Sequence, residues 1–240
     1  MQIKLLTYNV CFNQAKEDLK GIIAQYQPDI ICLQEIETNE VNLEQFVDHK
    51  SYDLADYSNC FVKHQKIFGV ATYYKKSQLK FSEAQIFDLP RSFLENFLVL
   101  LRGFNNPRTV LKTEFLLQPS QQKINIYNTH LSPFASNSAR KKQVLETLAD
   151  LDLKSEVPTI ITGDFNFPYG RKKLQQLIDD HYLQEATNQI WHTFEQKIFH
   201  FFTLKFKDDY IFYRSLKNTQ TLKIPLKSSD HYPILATFEI

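Results

Sequence analysis

The 240-residue chain carries 28 lysines and arginines against 27 aspartates and glutamates, a formal net charge of +1 at pH 7. This balance excludes a polyanion-binding surface over the whole protein, so a nucleic-acid site would have to be a local basic patch. Hydrophobic residues make up 43% of the chain, which is typical of a globular protein and argues against disorder. No linker or low-complexity tract divides the sequence, and we expect one domain over residues 1–240.

The first half of the chain predicts strands around one helix. QIKLLTYNV (2–10) reads as a strand, and residues 16–26 show helical spacing of apolar residues before Pro28 ends the helix. DIICLQEI (29–36) is an apolar run typical of a strand buried on both faces. Further strands, the last two joined by a QPSQQ hairpin connection, are predicted at 68–76, 108–117 and 123–131.

The second half predicts two helices and three strands. Apolar residues recur at helical spacing over 138–151 and 171–178. VPTIITGDFN (157–166) is an apolar run that breaks at a glycine, as a buried strand does where it ends. DDYIFYR (208–214) and YPILATFEI (232–240) predict the remaining strands.

Two β-α-β stretches echo each other. In each, a Tyr-Asn pair ends a strand, a helix follows, and an apolar strand after a proline leads to an acid. The asparagines are Asn9 and Asn128, and the acids are Glu35 and Asp164. The residues leave open whether this is a true repeat or chance. A repeat would place two sheets face to face, with helices outside and both acids at one rim.

Polar residues of proton-transferring or metal-binding type stand at or near the ends of the apolar runs. They are Asn9, Glu35, His130, Asp164, Asn166, Asp209, Asp230 and His231. An unpaired charge is unfavourable beside a buried strand, and turn formation explains one such residue more easily than a set spread over the chain. The set therefore indicates a functional site built from strand ends.

The chain resembles the endonuclease/exonuclease/phosphatase superfamily, the deoxyribonuclease I-like fold, from end to end. The matching stretches are TYNV (7–10), PDIICLQEI (28–36), NTHLS (128–132), GDFN (163–166), DYIF (209–212) and SDHYPI (229–234). The resemblance implies an α/β (α+β) fold, a four-layer α-β-β-α sandwich. It also implies a divalent-metal-dependent hydrolase of phosphate esters.

The resemblance assigns a metal site and a water site. Glu35 matches the ligand of a Mg²⁺ or Mn²⁺ ion, with Asn9 beside it and Asp230 in or near the metal shell. Mg²⁺ prefers oxygen ligands and is typically held by one or two carboxylates. Asp164 matches the residue that orients or deprotonates the attacking water, and Asn166 matches the amide that holds phosphate or water.

The resemblance also assigns the histidines. His231 matches the catalytic histidine, Asp209 the acid that fixes its tautomer, and His130 a phosphate-contacting histidine. The residues leave open whether His231 or the acid of GDFN is the base. Asp208 stands where the family usually has an apolar residue, so a swap of roles with Asp209 is also open. Cys11 replaces an acid of some nuclease branches, which weakens assignment to the abasic-site endonucleases.

The function expected from these features is hydrolysis of phosphodiester bonds by a nuclease-like enzyme acting on DNA or RNA. The alternatives are a phospholipid or sphingomyelin phosphodiesterase, a phosphoinositide phosphatase and a tyrosyl-DNA phosphodiesterase. A non-catalytic binding module is disfavoured because the residue set is complete. The sequence implies no protein partner. We expect a cytoplasmic location without membrane insertion, because the chain shows no signal peptide, membrane-length apolar stretch or disulfide framework.

Two aromatic segments have no motif match. Residues 82–106 carry several phenylalanines with Arg91, Arg102 and Arg108 nearby, and could either hold substrate or cover a sheet edge. Trp191 and its neighbouring rings could line a substrate pocket, but we expect core packing. Those rings are Phe199, Phe201 and Phe202.

Overall fold

A computed structural model describes residues 1–63, 65–93, 95–97, 108–152, 154–198 and 202–240. Its strands are β1 (Gln2–Asn9), β2 (Ile30–Glu37), β3 (Tyr52–Lys63), β4 (Lys66–Lys75), β5 (Leu79–Leu89), β6 (Arg108–Leu117), β7 (Lys123–His130), β8 (Thr159–Asp164), β9 (Gln184–Glu185), β10 (Phe194–Ile198), β11 (Phe202–Phe206), β12 (Asp209–Arg214), β13 (Lys217–Lys223) and β14 (Ile234–Glu239). Its helices are α1 (Lys16–Tyr26), α2 (Glu40–Glu44), α3 (Asn137–Ala149) and α4 (Arg171–Asp180). None of these helices has the length and apolar character needed to cross a membrane.

Most strands belong to two six-stranded mixed sheets. The first has the order β13-β14-β1-β2-β4-β3 and the second the order β5-β6-β7-β8-β12-β9, while β10 and β11 form a separate antiparallel pair. Each large sheet contains one parallel pair, β1 with β2 and β7 with β8. A parallel pair needs a crossover connection, which α1 and α3 supply. These two units are the echoing β-α-β stretches of the sequence.

The core lies between the two sheets and under the helices that cover them. Leu5 packs in the cluster between the sheets, where it meets residues of the second sheet such as Ile126. Leu6, whose side chain points to the opposite face of the same strand, packs with Leu19 of α1. On the far side, Val144 of α3 packs against the second sheet. The α-β-β-α arrangement expected from the sequence is therefore confirmed.

The strands that the sequence pattern missed lie mainly at sheet edges. β3, β5 and β13 each lie at a sheet edge, and most of their residues are half-buried or exposed. Their sequences are accordingly polar and lack a long apolar run. β5 occupies part of the unmatched segment 82–106, and Phe93 beyond it is 88% exposed. Arg102 and Phe104 of that segment lie outside the described residues.

A buried ion pair fixes the start of β6. The guanidinium of Arg108 donates through Nε to Glu95 Oε1 at 2.8 Å. Glu95 Oε2 also accepts from the Ser132 hydroxyl at 2.7 Å and from the Ser92 backbone amide at 2.9 Å. Burial alone would raise the pKa of Glu95, but Arg108 and these donors outweigh it and lower the pKa below its usual value.

Candidate active site

The candidate site lies where strand ends of both sheets meet. β7 and β8 are parallel, so their carboxyl ends share an edge, and the register places His130 beside Asp164. β12 runs antiparallel to β8, which brings its first residue, Asp209, to the other side of Asp164. From the first sheet, the carboxamide of Asn9 at the end of β1 donates to Asp164 Oδ2 at 2.9 Å. The site therefore bridges the two sheets.

Asp164 stands at the centre of this site and is buried. Its Oδ2 lies 3.6 Å from Nε2 of His130 and 3.6 Å from Nε2 of His231. Its Oδ1 accepts from the backbone amide of Asn166 at 2.8 Å. Burial raises the pKa of Asp164 even though the charge of His231 opposes that shift.

Gly163 allows β8 to approach β7 closely just before this carboxylate. It has φ +136°, and a Cβ at this position would collide with the carbonyl oxygen of Thr129. Two residues beyond Asp164, Asn166 has φ +47° and donates its side-chain amide to the Leu131 carbonyl at 3.1 Å. The turn that ends the strand is thus the same element that holds the carboxylate in place.

His231 and Asp209 form a direct pair. The Nδ1 of His231 lies 2.7 Å from Asp209 Oδ2, which leaves Nε2 facing Asp164. Burial disfavours the imidazolium, but the carboxylates of Asp209 and Asp164 outweigh burial and hold the pKa of His231 well above its usual value. The two carboxylates therefore favour the protonated ring, and Asp209 orients it.

The neighbouring acid, Asp208, has a different environment. It is buried, and its Oδ1 has no hydrogen-bond partner among the described residues. Burial first, and then the charge of Asp164, raise the pKa of Asp208 to about 8. Asp209, not Asp208, contacts His231. This agrees with the alignment of the DYIF stretch, which places Asp209 at the position of the acid.

Glu35 and His130 complete the cluster from the two sheets. Glu35 lies at a register shift in the pairing of β2 with β4 and has φ +54°. Its Oε1 is 3.7 Å from His130 Nε2. Burial raises the pKa of Glu35 to about 7 against the opposing charge of His231, and burial lowers the pKa of His130 to about 4. His130 is therefore neutral near pH 7.

The donor set fits a divalent cation. Ligand atoms of Glu35, His130 and Asp164 lie within 4.8 Å of one another, as do those of Asp164, Asp209 and His231. Neither ring nitrogen of His130 has a hydrogen-bond partner in the described part of the chain. Carboxylate-rich sites suit Mg²⁺ and Mn²⁺, and a cation would offset the repulsion between the clustered, buried carboxylates.

Asp230, expected in or near the metal shell, belongs to neither group of close ligand atoms. Its Oδ1 is 3.4 Å from the Ser229 hydroxyl, and its charge contributes to the raised pKa of Glu35. Asp230 therefore lies at the margin of the cluster. Of the other expected ligands, Asn9 accepts a hydrogen bond from the backbone amide of Cys11 through its side-chain oxygen, at 3.0 Å.

The structure adds supporting residues that the sequence did not single out for a role. The Thr193 hydroxyl accepts from the backbone amide of Asp209 at 2.9 Å, and the Ser229 hydroxyl accepts from that of His231 at 3.1 Å. The ring of Phe194 stands edge-on to His231 with centroids 5.1 Å apart. Ser229 lies inside the SDH stretch and could have been found there, whereas a lone threonine gives no sequence signal.

The expectation of core packing for the Trp191 rings is wrong where it can be tested. Trp191 is 67% exposed and Phe202 is 54% exposed. Both residues lie beside or within the β10–β11 pair, which belongs to neither large sheet. Phe199 and Phe201 lie outside the described residues.

Comparison with known proteins identifies relatives over most of the chain. The sequence model of the Endonuclease/Exonuclease/phosphatase family matches residues 6–231. The "Probable CCR4-Not complex 3'-5'-exoribonuclease subunit Ccr4" of Vairimorpha ceranae (strain BRL01) is 27% identical over 172 residues. That alignment covers 63% of this chain but 36% of the relative, so the chain spans only a minor part of the relative's length.

Solved structures share the fold at low sequence identity. The human Nocturnin catalytic domain, solved with a bound sulfate anion, superposes with a TM-score of 0.78 at 18% identity over 99% of this chain and 94% of that one. D. rerio TDP2, solved with a single-stranded DNA product, gives a TM-score of 0.75 at 18% identity over 100% and 99% of the two chains. ANGEL2, a 2',3'-cyclic phosphatase, gives 0.77 at 15% identity over 99% and 95%.

Proposed function

Because the chain belongs to the endonuclease/exonuclease/phosphatase family, whose members are hydrolases, we propose that it hydrolyses phosphodiester bonds with the aid of a divalent cation. The observation that carries the proposal is the position of Asp164, whose Oδ2 lies 3.6 Å from Nε2 of each of two histidines, His231, which is expected to be protonated, and His130, which is expected to be neutral. With the family match running over residues 6–231, we propose that the chain acts as one catalytic domain.

Glu35 is the residue proposed to hold Mg²⁺ or Mn²⁺, with Asn9 beside it and Asp230 at the margin. When bound, such a cation neutralises phosphate charge and polarises the phosphoryl oxygen. The raised pKa of Glu35, caused mainly by burial, supports the assignment because a nearby cation would favour the ionised carboxylate.

His231 is proposed to act as an imidazolium rather than as a base. Its pKa is held well above the usual value because the two flanking carboxylates outweigh burial, so its Nε2 carries a proton that it can donate to a phosphate oxygen. The base is then Asp164. Its Oδ2 accepts from the carboxamide of Asn9, and its Oδ1 accepts from the backbone amide of Asn166. Each oxygen keeps a lone pair that can accept a proton from water.

His130 is proposed to contact the phosphate as a neutral ring. Burial keeps its pKa at about 4, so it adds no charge near pH 7. Its unsatisfied nitrogens allow either a donated hydrogen bond to a phosphate oxygen or an accepted one from water. Asn166 is proposed to position phosphate or water beside Asp164.

The substrate is proposed to be a nucleic acid. The relative of Vairimorpha ceranae is named a 3'-5'-exoribonuclease, and the TDP2 structure contains a single-stranded DNA product. The test is hydrolysis of RNA, DNA, bis-p-nitrophenyl phosphate and phospholipid vesicles, each with and without Mg²⁺. Cleavage of lipid but neither nucleic acid would overturn the substrate class, and no cleavage of any phosphodiester would overturn the activity. The cytoplasmic location expected from the sequence stays a prediction.

A further inference from the structure

An exposed tryptophan lies beside the candidate active site. Trp191 is the single tryptophan of the chain and is 67% exposed. Its indole packs on the ring of His192, with centroids 3.8 Å apart, and the ammonium of Lys205 lies 5.5 Å from its ring centroid. A large aromatic surface left in water is informative because such rings are usually buried on folding.

Three lysines lie close to Trp191, His192 or Glu195, and two of them share the Glu195 carboxylate. The Glu195 carboxylate lies 3.0 Å from the ammonium of Lys227 and 3.4 Å from that of Lys205. The ammonium of Lys223 lies 3.2 Å from Nε2 of His192. Burial and the like charges of Lys205 and Lys227 lower the pKa of Lys223 against the opposing charge of Glu195. We call Trp191, Lys205, Lys223 and Lys227 the Trp191 patch.

The patch is continuous with the candidate active site. His192 stands edge-on to the ring of Tyr232, with centroids 5.5 Å apart, and Lys223 lies 4.3 Å from that ring centroid. Tyr232 directly follows His231 in the chain. The backbone amide of Tyr232 donates to the carbonyl of Thr193 at 2.8 Å, and Thr193 in turn holds Asp209. Tyr232 and Thr193 therefore connect the patch to His231 and Asp209.

We propose that the Trp191 patch binds the part of a single-stranded polynucleotide that extends beyond the scissile phosphodiester. An unpaired base stacks on Trp191, and the lysines contact the adjacent phosphates. Paired bases present no free face for stacking, so the ring selects single strands. Anionic membrane is the less favoured partner because one aromatic ring gives weak anchoring without a second apolar signal. This inference rests on the proposed function and names its substrate class.

The tryptophan itself reports on this binding. Oligothymidylate, a single strand, is titrated into the 240-residue protein held in EDTA so that the strand stays intact, and intrinsic tryptophan fluorescence is recorded. We expect saturable quenching that weakens as salt rises, and weaker quenching by a duplex of equal length. Equal quenching by the duplex would overturn the selection of single strands.

Variants separate stacking from charge, and a labelled oligothymidylate reports their Kd by fluorescence anisotropy. Trp191→Ala is expected to raise Kd about 5- to 150-fold, the range for loss of one stacked base, whereas Trp191→Phe retains most of the affinity. Lys205→Gln and Lys227→Gln are each expected to reduce the slope of log K against log salt by about 0.7. The matched control is Lys217→Gln, which also removes a lysine paired with a glutamate but at the far end of β13 from Lys223.

The possible failures are distinguishable. Absence of quenching from a protein that hydrolyses bis-p-nitrophenyl phosphate with Mg²⁺ would overturn the patch and leave the proposed function intact. Absence of both quenching and hydrolysis would overturn both. A fluorescence change with phosphatidylserine vesicles that oligothymidylate does not reverse would overturn the polynucleotide in favour of a membrane surface. If Lys217→Gln lost as much affinity as Lys205→Gln and Lys227→Gln, the effect would come from the overall charge of the protein, and the proposed lysine contacts would be overturned.

Discussion

Replacing Asp209 by asparagine removes one negative charge from the centre of the site while keeping the size of the side chain. The carboxylate lies 2.7 Å from Nδ1 of His231, and both residues are buried. The asparagine carbonyl can still accept the hydrogen bond, so the ring keeps its orientation. The proton on the far nitrogen is held less firmly, because Asp209 is the strongest of the charges that raise the pKa of His231 against its burial.

The expected loss follows from the strength of that contact. A hydrogen bond to a charged group contributes about 1.5–3 kcal/mol, so kcat/KM should fall about 10- to 150-fold in Asp209→Asn. His231→Ala removes the proton donor itself and should cost about 100- to 10,000-fold. Because the two residues act as one unit, the double variant should be within about threefold of His231→Ala.

The assay is hydrolysis of bis-p-nitrophenyl phosphate with Mg²⁺, recorded as kcat/KM over a range of pH. Activity that needs the imidazolium is lost as pH rises through the pKa of His231, and in Asp209→Asn this alkaline limb should move to lower pH. Asp208→Asn is the matched control, since Asp208 is buried nearby but does not bond His231. Additive losses, or a larger loss in Asp208→Asn than in Asp209→Asn, would refute the reasoning.

Three further predictions concern the cation, a close backbone contact and a buried ion pair. Glu35→Gln should lower kcat/KM at least about 100-fold and weaken Mg²⁺ binding measured by calorimetry, whereas Glu37→Gln, a control on the same strand, should change neither appreciably. Gly163→Ala should cost about 2–5 kcal/mol of unfolding free energy in urea, because the new methyl group would collide with a carbonyl of β7. Gly21→Ala in α1, where nothing lies within 4 Å of the new carbon, should gain about 0.5–1 kcal/mol in the same assay. A gain in Gly163→Ala or a loss in Gly21→Ala would contradict the corresponding expectation. The pKa of Glu95 in the folded protein lies below its unfolded value of 4.5, so the ionised carboxylate stabilises the fold above pH 4.5. This stabilisation is lost as pH falls through the folded pKa. In Glu95→Gln the unfolding free energy should lose this dependence on pH.

The central strands of the fold could be predicted because both of their faces are buried. β1, β2, β8 and β14 are apolar runs, and the structure buries nearly all of their residues. The edge strands could not be predicted in this way because one face meets water and carries polar side chains. The short β10–β11 pair could not be predicted either, since its described phenylalanines give no regular strand alternation and one of them, Phe202, is exposed.

The polar residues that cluster at the strand ends could be named from the sequence, but the distances between them could not be predicted. Asn9 and Asp164 are 155 residues apart in the chain and meet only because the two sheets pack face to face. The sequence does not decide whether Asp208 or Asp209 contacts His231, since a shift of one residue along the strand changes which side chain faces the histidine. The exposure of Trp191 was also beyond sequence reasoning, because composition alone favours burial of so large a ring.

The most direct test of the account is restoration of activity by a divalent cation after metal stripping. Purified protein is treated with EDTA, freed of chelator, and assayed on bis-p-nitrophenyl phosphate during a Mg²⁺ titration, with Glu35→Gln in parallel. The account predicts that stripping abolishes hydrolysis, that Mg²⁺ restores it in the wild type, and that the variant recovers little. Full hydrolysis in EDTA, or equal recovery by Glu35→Gln, would contradict a cation-dependent site at these strand ends.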